Sequence, residues 1–101
     1  MRLASDLVKD ARERIYKLVE EETTRKLGEL TIVTEVLEVS PGELRVRFTP
    51  LSAYSPTAVD LGRRIKGAGQ EVEGVRKIVV ECDGHMQDEL VNRLVNGEIE
   101  R

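Results

Sequence analysis

Cysteine, histidine and aromatic residues are scarce in this 101-residue chain. The single cysteine, Cys82, excludes an intrachain disulfide and favours a reducing, cytoplasmic compartment. Aromatic residues make up 3% of the chain and charged residues 35%. Glutamate and arginine are plentiful while asparagine, glutamine, cysteine and methionine are scarce, a bias that fits a heat-tolerant source. Because the formal net charge is -3, nothing in the composition demands a polyanionic partner.

Long apolar runs are missing as well. No stretch is long enough to span a bilayer, and the segment Met1–Asp6 becomes charged too soon for a signal peptide. We therefore expect a single domain over residues 1–101, with a helix over residues 1–28 and a core over residues 29–97. The acidic run 20–22 is expected on the solvated face of that first helix.

Apolar and polar residues alternate most clearly in the middle of the chain. Residues 43–49 alternate strictly, which predicts a half-buried strand that ends before Pro50. A Ser-Pro-Gly turn at 40–42 joins this strand to a Val- and Thr-rich run over 30–39, so the pair is predicted to form a β-hairpin. Because the run over 30–39 alternates poorly, we expect a central strand or one covered on both faces.

Helical and strand patterns then alternate to the end of the chain. Ser55-Pro56 is a typical N-cap and first-turn pair, so a helix is predicted to begin there, with an apolar stripe that reaches Val72. Glycines within that helix allow close packing on the sheet. Residues 75–82 are β-branched and predict a third strand, and a last helix is predicted from residue 83 or 84 to a stop at 96–97.

The resulting order is helix–strand–strand–helix–strand–helix. It predicts an α/β (α+β) domain built as a two-layer sandwich, with a three-stranded mixed sheet and helices over one face. If the second and third strands are parallel, their connection should be right-handed.

Three groups of polar residues are candidates for function, and each also has a structural interpretation. Ser55 is either a helix cap or a reactive group, but with one histidine in the chain and no G-x-S-x-G motif a serine hydrolase is not expected. Cys82 and His85 are either a buried thiol and a helix-start residue, or two metal ligands of a site completed by a second chain.

The third group is cationic. It forms either a solvated face or a nucleic-acid face resembling that of a KH domain, whose GXXG loop is absent here. Its members are Arg45, Arg47, Arg63, Arg64 and Lys66.

Several segments, in fixed order, also resemble one known family. They are ELTIV at 29–33, VRFTP at 46–50, AYSPTA at 53–58, VEGV at 72–75 and GHMQDELVNRL at 84–94. Over residues 30–96 the chain resembles the small iron–sulfur assembly family (domain of unknown function fifty-nine) that includes SufT, PaaD and the MIP-eighteen-type cytosolic targeting factors.

The resemblance implies a non-enzymatic, cytoplasmic factor that helps to deliver iron or a labile iron–sulfur cluster to apo-protein clients. It further implies a homodimer, or a complex with iron–sulfur assembly proteins. The family's loop cysteine falls at Ser55, where a hydroxyl replaces the thiolate that binds soft metal centres. The family's acidic DPE stretch is replaced by residues 24–28. An adaptor that acts by protein–protein contact, or one in which Cys82 supplies the thiol, would fit these departures.

Site residues follow from the same resemblance. Thr49, Ser55 and Thr57 are expected to form a functional loop that lines one hollow with His85. His85, Asp88 and Glu89 are expected to face the partner. Cys82 with His85 remains the candidate metal pair, on the spacing of the two residues and not on the resemblance. Two alternatives remain open: a KH-like nucleic-acid-binding module, and a homodimeric structural domain without a ligand.

Overall fold

The order of helices and strands follows the predicted pattern, with one short helix added. The computed structural model describes residues 4–97 of the chain. The elements are α1 (Ala4–Tyr16), α2 (Leu27–Leu30), β1 (Val33–Ser40), β2 (Glu43–Phe48), α3 (Ala58–Gln70), β3 (Lys77–Cys82) and α4 (Asp88–Val95). The predicted α+β class and the three-stranded mixed sheet are confirmed.

The sheet has the strand order β1-β2-β3. β1 and β2 form the predicted antiparallel hairpin, and β2 and β3 are parallel. The three longer helices contact the strands, and the side chains that point toward them are buried, from Val36 on β1 through Val46 on β2 to Val80 on β3. The opposite face of the sheet carries charged residues and the exposed side chains of Leu37 and Val79.

β1 is an edge strand, so the expectation of a central or doubly covered strand is wrong. The two adjacent apolar residues Val36 and Leu37 therefore need another explanation. The pairing register with β2 shifts between Val33 and Glu35, and again between Glu38 and Ser40. Between these shifts Val36 is buried, whereas Leu37 is 44% exposed on the open face of the sheet.

The first helix ends at Tyr16, not at Gly28 as predicted; residues 1–3 of the predicted helix lie outside the described part of the chain. After Tyr16 the chain makes a turn that a bridge between Val19 and Lys26 closes. Glu20, expected on a solvated helix face, is 4% exposed. Its carboxylate accepts hydrogen bonds from two backbone N–H groups of the turn, and this local bonding competes with helix formation.

α3 begins at Ala58 with Thr57 at its N-cap, two residues later than the predicted start with Ser55 as N-cap and Pro56 as first helical residue. Two of the three glycines of α3 allow close packing, whereas a Cβ at Gly67 would have no neighbour within 4 Å. A Cβ at Gly62 would lie 2.6 Å from Val95 Cγ2, and one at Gly69 would meet Ile78. Real side chains do not tolerate such contacts, so these two positions let α3 approach α4 and β3 closely.

α4 begins at Asp88, later than the predicted start at residue 83 or 84, and its predicted stop is confirmed. Asn96 is the C-cap, and Gly97 follows with a φ of +75°, a left-handed conformation that glycine adopts without strain. The residues between β3 and α4 form a turn that belongs to the candidate site.

Candidate docking site

Two loops leave the sheet side by side. Because β2 and β3 are parallel, their carboxyl ends lie at the same edge of the sheet, where the connections to α3 and α4 begin. The β2–α3 loop covers residues 49–57 and the β3–α4 turn covers residues 83–87. In α/β sheets this edge is a common place for binding sites.

The β2–α3 loop contains a tight turn around Tyr54. Pro50 is buried just after β2 and cannot donate a ladder hydrogen bond, which helps to end the strand. Ser52 then organises the turn, because its hydroxyl accepts from Tyr54 N at 3.1 Å and its carbonyl accepts from Ser55 N at 3.1 Å. The Tyr54 side chain is left 73% exposed.

Asp88 holds the β3–α4 turn from its far end. Its carboxylate accepts hydrogen bonds from the backbone N–H of Gly84 and from that of His85, the latter at 2.7 Å. Burial acts to raise the pKa of Asp88, but these N–H groups outweigh it, so the pKa is lower than usual. Gly84 has a φ of +122°, and a Cβ there would lie 2.9 Å from Thr49 Cγ2. A larger residue would therefore clash with the first residue of the neighbouring loop.

His85 joins the two loops. Its Nε2 lies 3.0 Å from the carbonyl oxygen of Ser55, and its Nδ1 accepts from the backbone N–H of Gln87 at 3.0 Å. Because Nδ1 is an acceptor, the neutral ring carries its proton on Nε2 and donates it to Ser55. A second link runs alongside, where Met86 N donates to the Ala53 carbonyl at 2.7 Å.

The joined loops and the first turn of α4 carry exposed apolar side chains, which together we call the loop-end patch. Its members are Leu51, Tyr54, Met86 and Leu90, which are 47%, 73%, 69% and 42% exposed. A hollow of about 510 Å³ lies beside it, lined by residues 85–90 and Arg93. Large apolar side chains held outward on hydrogen-bonded loops are typical of a surface that binds another macromolecule.

Cys82 is not available for chemistry in this arrangement. It is 2% exposed, and burial together with the hydrogen bond and charge of Asp88 raises the pKa of its thiol to about 12. Both ring nitrogens of His85 are engaged by backbone groups. A metal role for this pair would require both residues to leave their present partners. Within residues 4–97, no group of three or more His, Cys, Asp or Glu side chains is placed to hold a metal ion.

The predicted site residues lie at this end of the molecule, but several play other parts than expected. Ser55 is half-buried and contacts His85 through its carbonyl, while its hydroxyl lies 3.3 Å from the Thr57 hydroxyl. Thr49 lies against the β3–α4 turn. Glu89 is exposed in the first turn of α4.

The residues that sequence reasoning missed are the apolar ones. Tyr54 stands among polar or loop-forming neighbours, and that isolation is a usable signal, because an apolar residue with no place in a core stripe is a candidate for an exposed contact. Met86 and Leu90 lie at helical spacing with Val91, so the pattern predicts that they belong to the buried face of the last helix, and their exposure is a correction to it.

The five cations considered for nucleic-acid binding do not act as one unpaired group. Arg47 pairs with Glu81 at 3.4 Å on the open face of the sheet, and Arg64 lies 4.0 Å from Glu21. Arg63 donates to the carbonyl of Leu94. These contacts favour the interpretation of a solvated face over that of a phosphate-binding surface.

Comparison with known proteins leaves the family open. No family model matches the chain, and a search of curated proteins finds no match either. Across the described ranges of the chain, no helix has the length and apolar character needed to cross a membrane. Function must therefore be inferred from the geometry of the loop end and from the resemblance of the short segments.

Proposed function

We propose that this chain is a non-enzymatic iron–sulfur assembly or targeting factor of the cytoplasm, and that it acts by protein–protein contact. The observation that carries the proposal is the joining of two loops through His85 and Ser55, which holds the loop-end patch outward. The resemblance to the SufT and PaaD family supplies the class of partner: assembly proteins and apo-protein clients.

A docking role is supported by the character of the loop-end patch. Tyr54 and Met86 expose most of their side chains on segments that are hydrogen-bonded to one another. Pre-organised loops lose little entropy on binding, and aromatic and methionine side chains are enriched at the centres of interfaces. Asp83 and Glu89 are exposed nearby, so the patch has polar, acidic surroundings.

Iron or a cluster enters this proposal as cargo, and the chain's own donors do not fit it well. The Cys82 thiol is buried and protonated at neutral pH, His85 is engaged at both nitrogens, and position 55 carries a hydroxyl. Soft iron–sulfur centres need thiolates. We therefore assign this chain the contact step of delivery, with the cluster held by a partner.

Affinity capture with site variants tests the docking role. Immobilised wild-type chain is incubated with lysate of the source organism, in parallel with Tyr54→Ser/Met86→Ser and with a control, Val19→Ser, which removes an apolar side chain 42% exposed outside the site. We expect iron–sulfur assembly components or apo-proteins to bind the wild type and the control, and to be lost with the double variant. Partners of another class, or equal capture by all three baits, would contradict the proposal.

Anaerobic iron–sulfur reconstitution tests the part played by position 55. The double variant Ser55→Cys/Cys82→Ala is compared with Cys82→Ala alone, so that the only thiol is the one at position 55. We expect iron or a labile cluster to be retained by Ser55→Cys and not by the parent, because a half-exposed loop thiol can supply a thiolate. Equal iron content in the two proteins would show that the loop is not a latent cargo site.

A further inference from the structure

A hollow lies at the start of β3, at the opposite end of the strand from the loop-end patch. Its volume is about 360 Å³, which is within the range of small-molecule sites. Residues from α3, from the start of β3 and from the C-cap of α4 line it; they include Lys66, Gln70, Arg76, Lys77, Ile78 and Asn96. The hollow therefore lies at the outer edge of the sheet, where no further strand follows β3.

Within the described part of the chain, the lining of this hollow contains three cations and no carboxylate. Two other hollows, beside α1 and beside the loop-end patch, have carboxylates among their lining residues. Lys66, Arg76 and Lys77 also take no part in the ion pairs that glutamates form with other cations, namely Arg14, Arg25, Arg47 and Arg64. Glu43, opposite Lys77 on β2, is outside the lining. Positive charge is therefore concentrated here, in a chain whose formal net charge is -3.

One of these cations is held in place by the β1–β2 turn. Arg76 Nε and Nη2 donate to the Pro41 carbonyl at 3.2 and 2.6 Å, and Arg76 N donates to Gly42 O at 2.8 Å. Gly42 has a φ of +79°, and a Cβ there would lie 2.9 Å from Arg76 Nε. The turn therefore needs glycine for the arginine to lie against it. A cation that the fold already positions loses little side-chain entropy when an anion binds.

The side-chain amides of α4 stop short of the floor of this hollow. At Val80 the Asn96 side chain bonds both the N–H and the carbonyl on the outer side of β3, at 3.0 and 2.8 Å. Because alternate strand residues direct their backbone groups to the same side, Ile78 points its N–H outward as well. Ile78 is 2% exposed, and no hydrogen bond from the described part of the chain reaches this N–H. A buried donor without a protein partner is a position that a bound acceptor satisfies.

We propose that this hollow binds the phosphate group of a small soluble molecule. Lysine and arginine are the usual protein partners of phosphate oxygens, and a buried backbone N–H adds a donor of fixed direction. The exposed carboxamide of Gln70 follows Lys66 by one turn on the same face of α3, which adds a neutral donor. The site takes one small anion and is distinct from the extended nucleic-acid face considered above. It does not rest on the docking role, which concerns the other end of β3.

The charge of the whole chain favours a small ligand over an extended polyanion. A nucleic acid or an anionic membrane would cover a large area and meet the repulsion of a net charge of -3, whereas a small anion meets mainly the lining of the hollow. The carbonyl end of α3, at Gln70, works against any anion and limits the affinity. We therefore expect a Kd of about 1 mM for a small phosphate compound.

NMR titration of the isotope-labelled full chain with sodium pyrophosphate, at an ionic strength kept constant with sodium chloride, tests the proposal. We expect saturable shifts of the backbone amides of Lys66, Lys77 and Ile78. The double variant Lys66→Gln/Lys77→Gln removes two charges from the hollow and should raise the Kd at least about tenfold. The matched control Lys9→Gln/Lys17→Gln removes two exposed lysines outside the hollow and should change the Kd by less than about twofold.

Two results would overturn the proposal in this titration. Shifts that do not saturate by about 20 mM pyrophosphate would mean that no site exists, and an equal loss of affinity in both double variants would mean a non-specific effect of charge. Circular dichroism confirms that both variants are folded.

Co-sedimentation with vesicles of phosphatidylcholine and phosphatidic acid separates a soluble ligand from a lipid headgroup. We expect the wild type to stay in the supernatant, because the net charge of the chain opposes binding to an anionic bilayer. If the wild type instead sediments with the vesicles and Lys66→Gln/Lys77→Gln does not, the hollow takes a headgroup and the proposal of a soluble ligand is wrong.

Discussion

Two turns of this molecule are each stabilised by a carboxylate that accepts backbone hydrogen bonds, but different contacts close them. In the turn after α1, the Glu20 carboxylate accepts hydrogen bonds from Glu22 N at 2.9 Å and Thr23 N at 2.7 Å. In the turn before α4, the Asp88 carboxylate accepts from the backbone of Gly84 and His85. Both carboxylates have a lowered pKa, because backbone N–H groups outweigh the effect of burial.

The difference lies in what closes each turn. The Glu20 turn is closed by its own backbone, with Val19 bridged to Lys26 and Leu27 N bonded to Leu18 O. The Asp88 turn is instead bonded to a second loop, through His85 and Met86, and carries exposed apolar side chains. A carboxylate that accepts backbone hydrogen bonds and has a lowered pKa therefore marks a tight turn, whereas the contact between two loops marks the candidate site.

Removing each carboxylate should produce the largest effects on stability. We expect Glu20→Ala to lower the free energy of unfolding by about 2–3 kcal/mol, because two charge-assisted hydrogen bonds at a buried position are lost. Asp88→Ala should cost about 1–2 kcal/mol, since Asp88 is more exposed. Urea denaturation measures both.

The exposed neighbours provide matched controls for these two variants. Glu22→Ala and Glu89→Ala should change stability by less than about 0.5 kcal/mol. If Glu22→Ala were as damaging as Glu20→Ala, the net charge of the turn would matter more than the hydrogen bonds. The comparison between the two turns would then lose its basis.

Acid should lower the stability that both turns contribute, because the pKa of each carboxylate is lowered in the folded chain. A carboxylate with a lower pKa in the folded than in the unfolded chain stabilises the fold above its unfolded pKa, which is 4.5 for Glu20 and 3.8 for Asp88. That stabilisation is lost as the pH falls through the folded pKa. Urea midpoints measured between about pH 6 and pH 3 should therefore fall with acid.

The variants Glu20→Gln and Asp88→Asn separate the two contributions to this acid sensitivity. Each should flatten part of the pH dependence, and Glu20→Gln should act at the higher pH, because the unfolded pKa of Glu20 is higher. A wild-type slope that neither variant changes would assign the acid sensitivity to other carboxylates.

The same contrast shows what sequence alone can predict. The sequence predicts β2 over 43–48 from its alternation of apolar and polar residues, and the end of α4 from Asn96-Gly97. Both features are determined by neighbouring residues in the chain. The end of α1 and the start of α4 were not, since each depends on a carboxylate that bonds backbone groups several residues away. From the sequence, Glu20 is predicted to be solvated like its neighbours, whereas the turn buries its side chain.

Ser55 and His85, two of the predicted site residues, lie together, but not through the groups that the sequence favours. The sequence favours the Ser55 hydroxyl and a histidine that faces a partner or a metal. The contact uses the Ser55 carbonyl, a group that every residue carries and that no motif reports. The sequence also does not predict that the side-chain amides of Asn92 and Asn96 bond the backbone of β3. That role depends on a strand that lies elsewhere in the chain, so no local pattern reports it.

Breaking the link between the two loops should have the smallest global effect and the most local one. His85→Ala removes the hydrogen bond to Ser55 O and the acceptor for Gln87 N, so we expect a loss of about 1 kcal/mol in unfolding free energy. The Met86 amide, bonded to Ala53 O across the loops, should exchange with solvent roughly tenfold faster. Hydrogen exchange followed by NMR measures this directly.

Two comparisons make the His85 result specific. Gln87→Ala keeps the backbone N–H that bonds the ring, so it should leave the exchange of Met86 unchanged. Glu20→Ala should speed exchange at Thr24 and Leu27, whose amides close the other turn, and not at Met86. If Met86 keeps its protection in His85→Ala, the loops are held together without the imidazole. The loop-end patch would then be a property of two separate loops, and the histidine could not be the residue that organises docking.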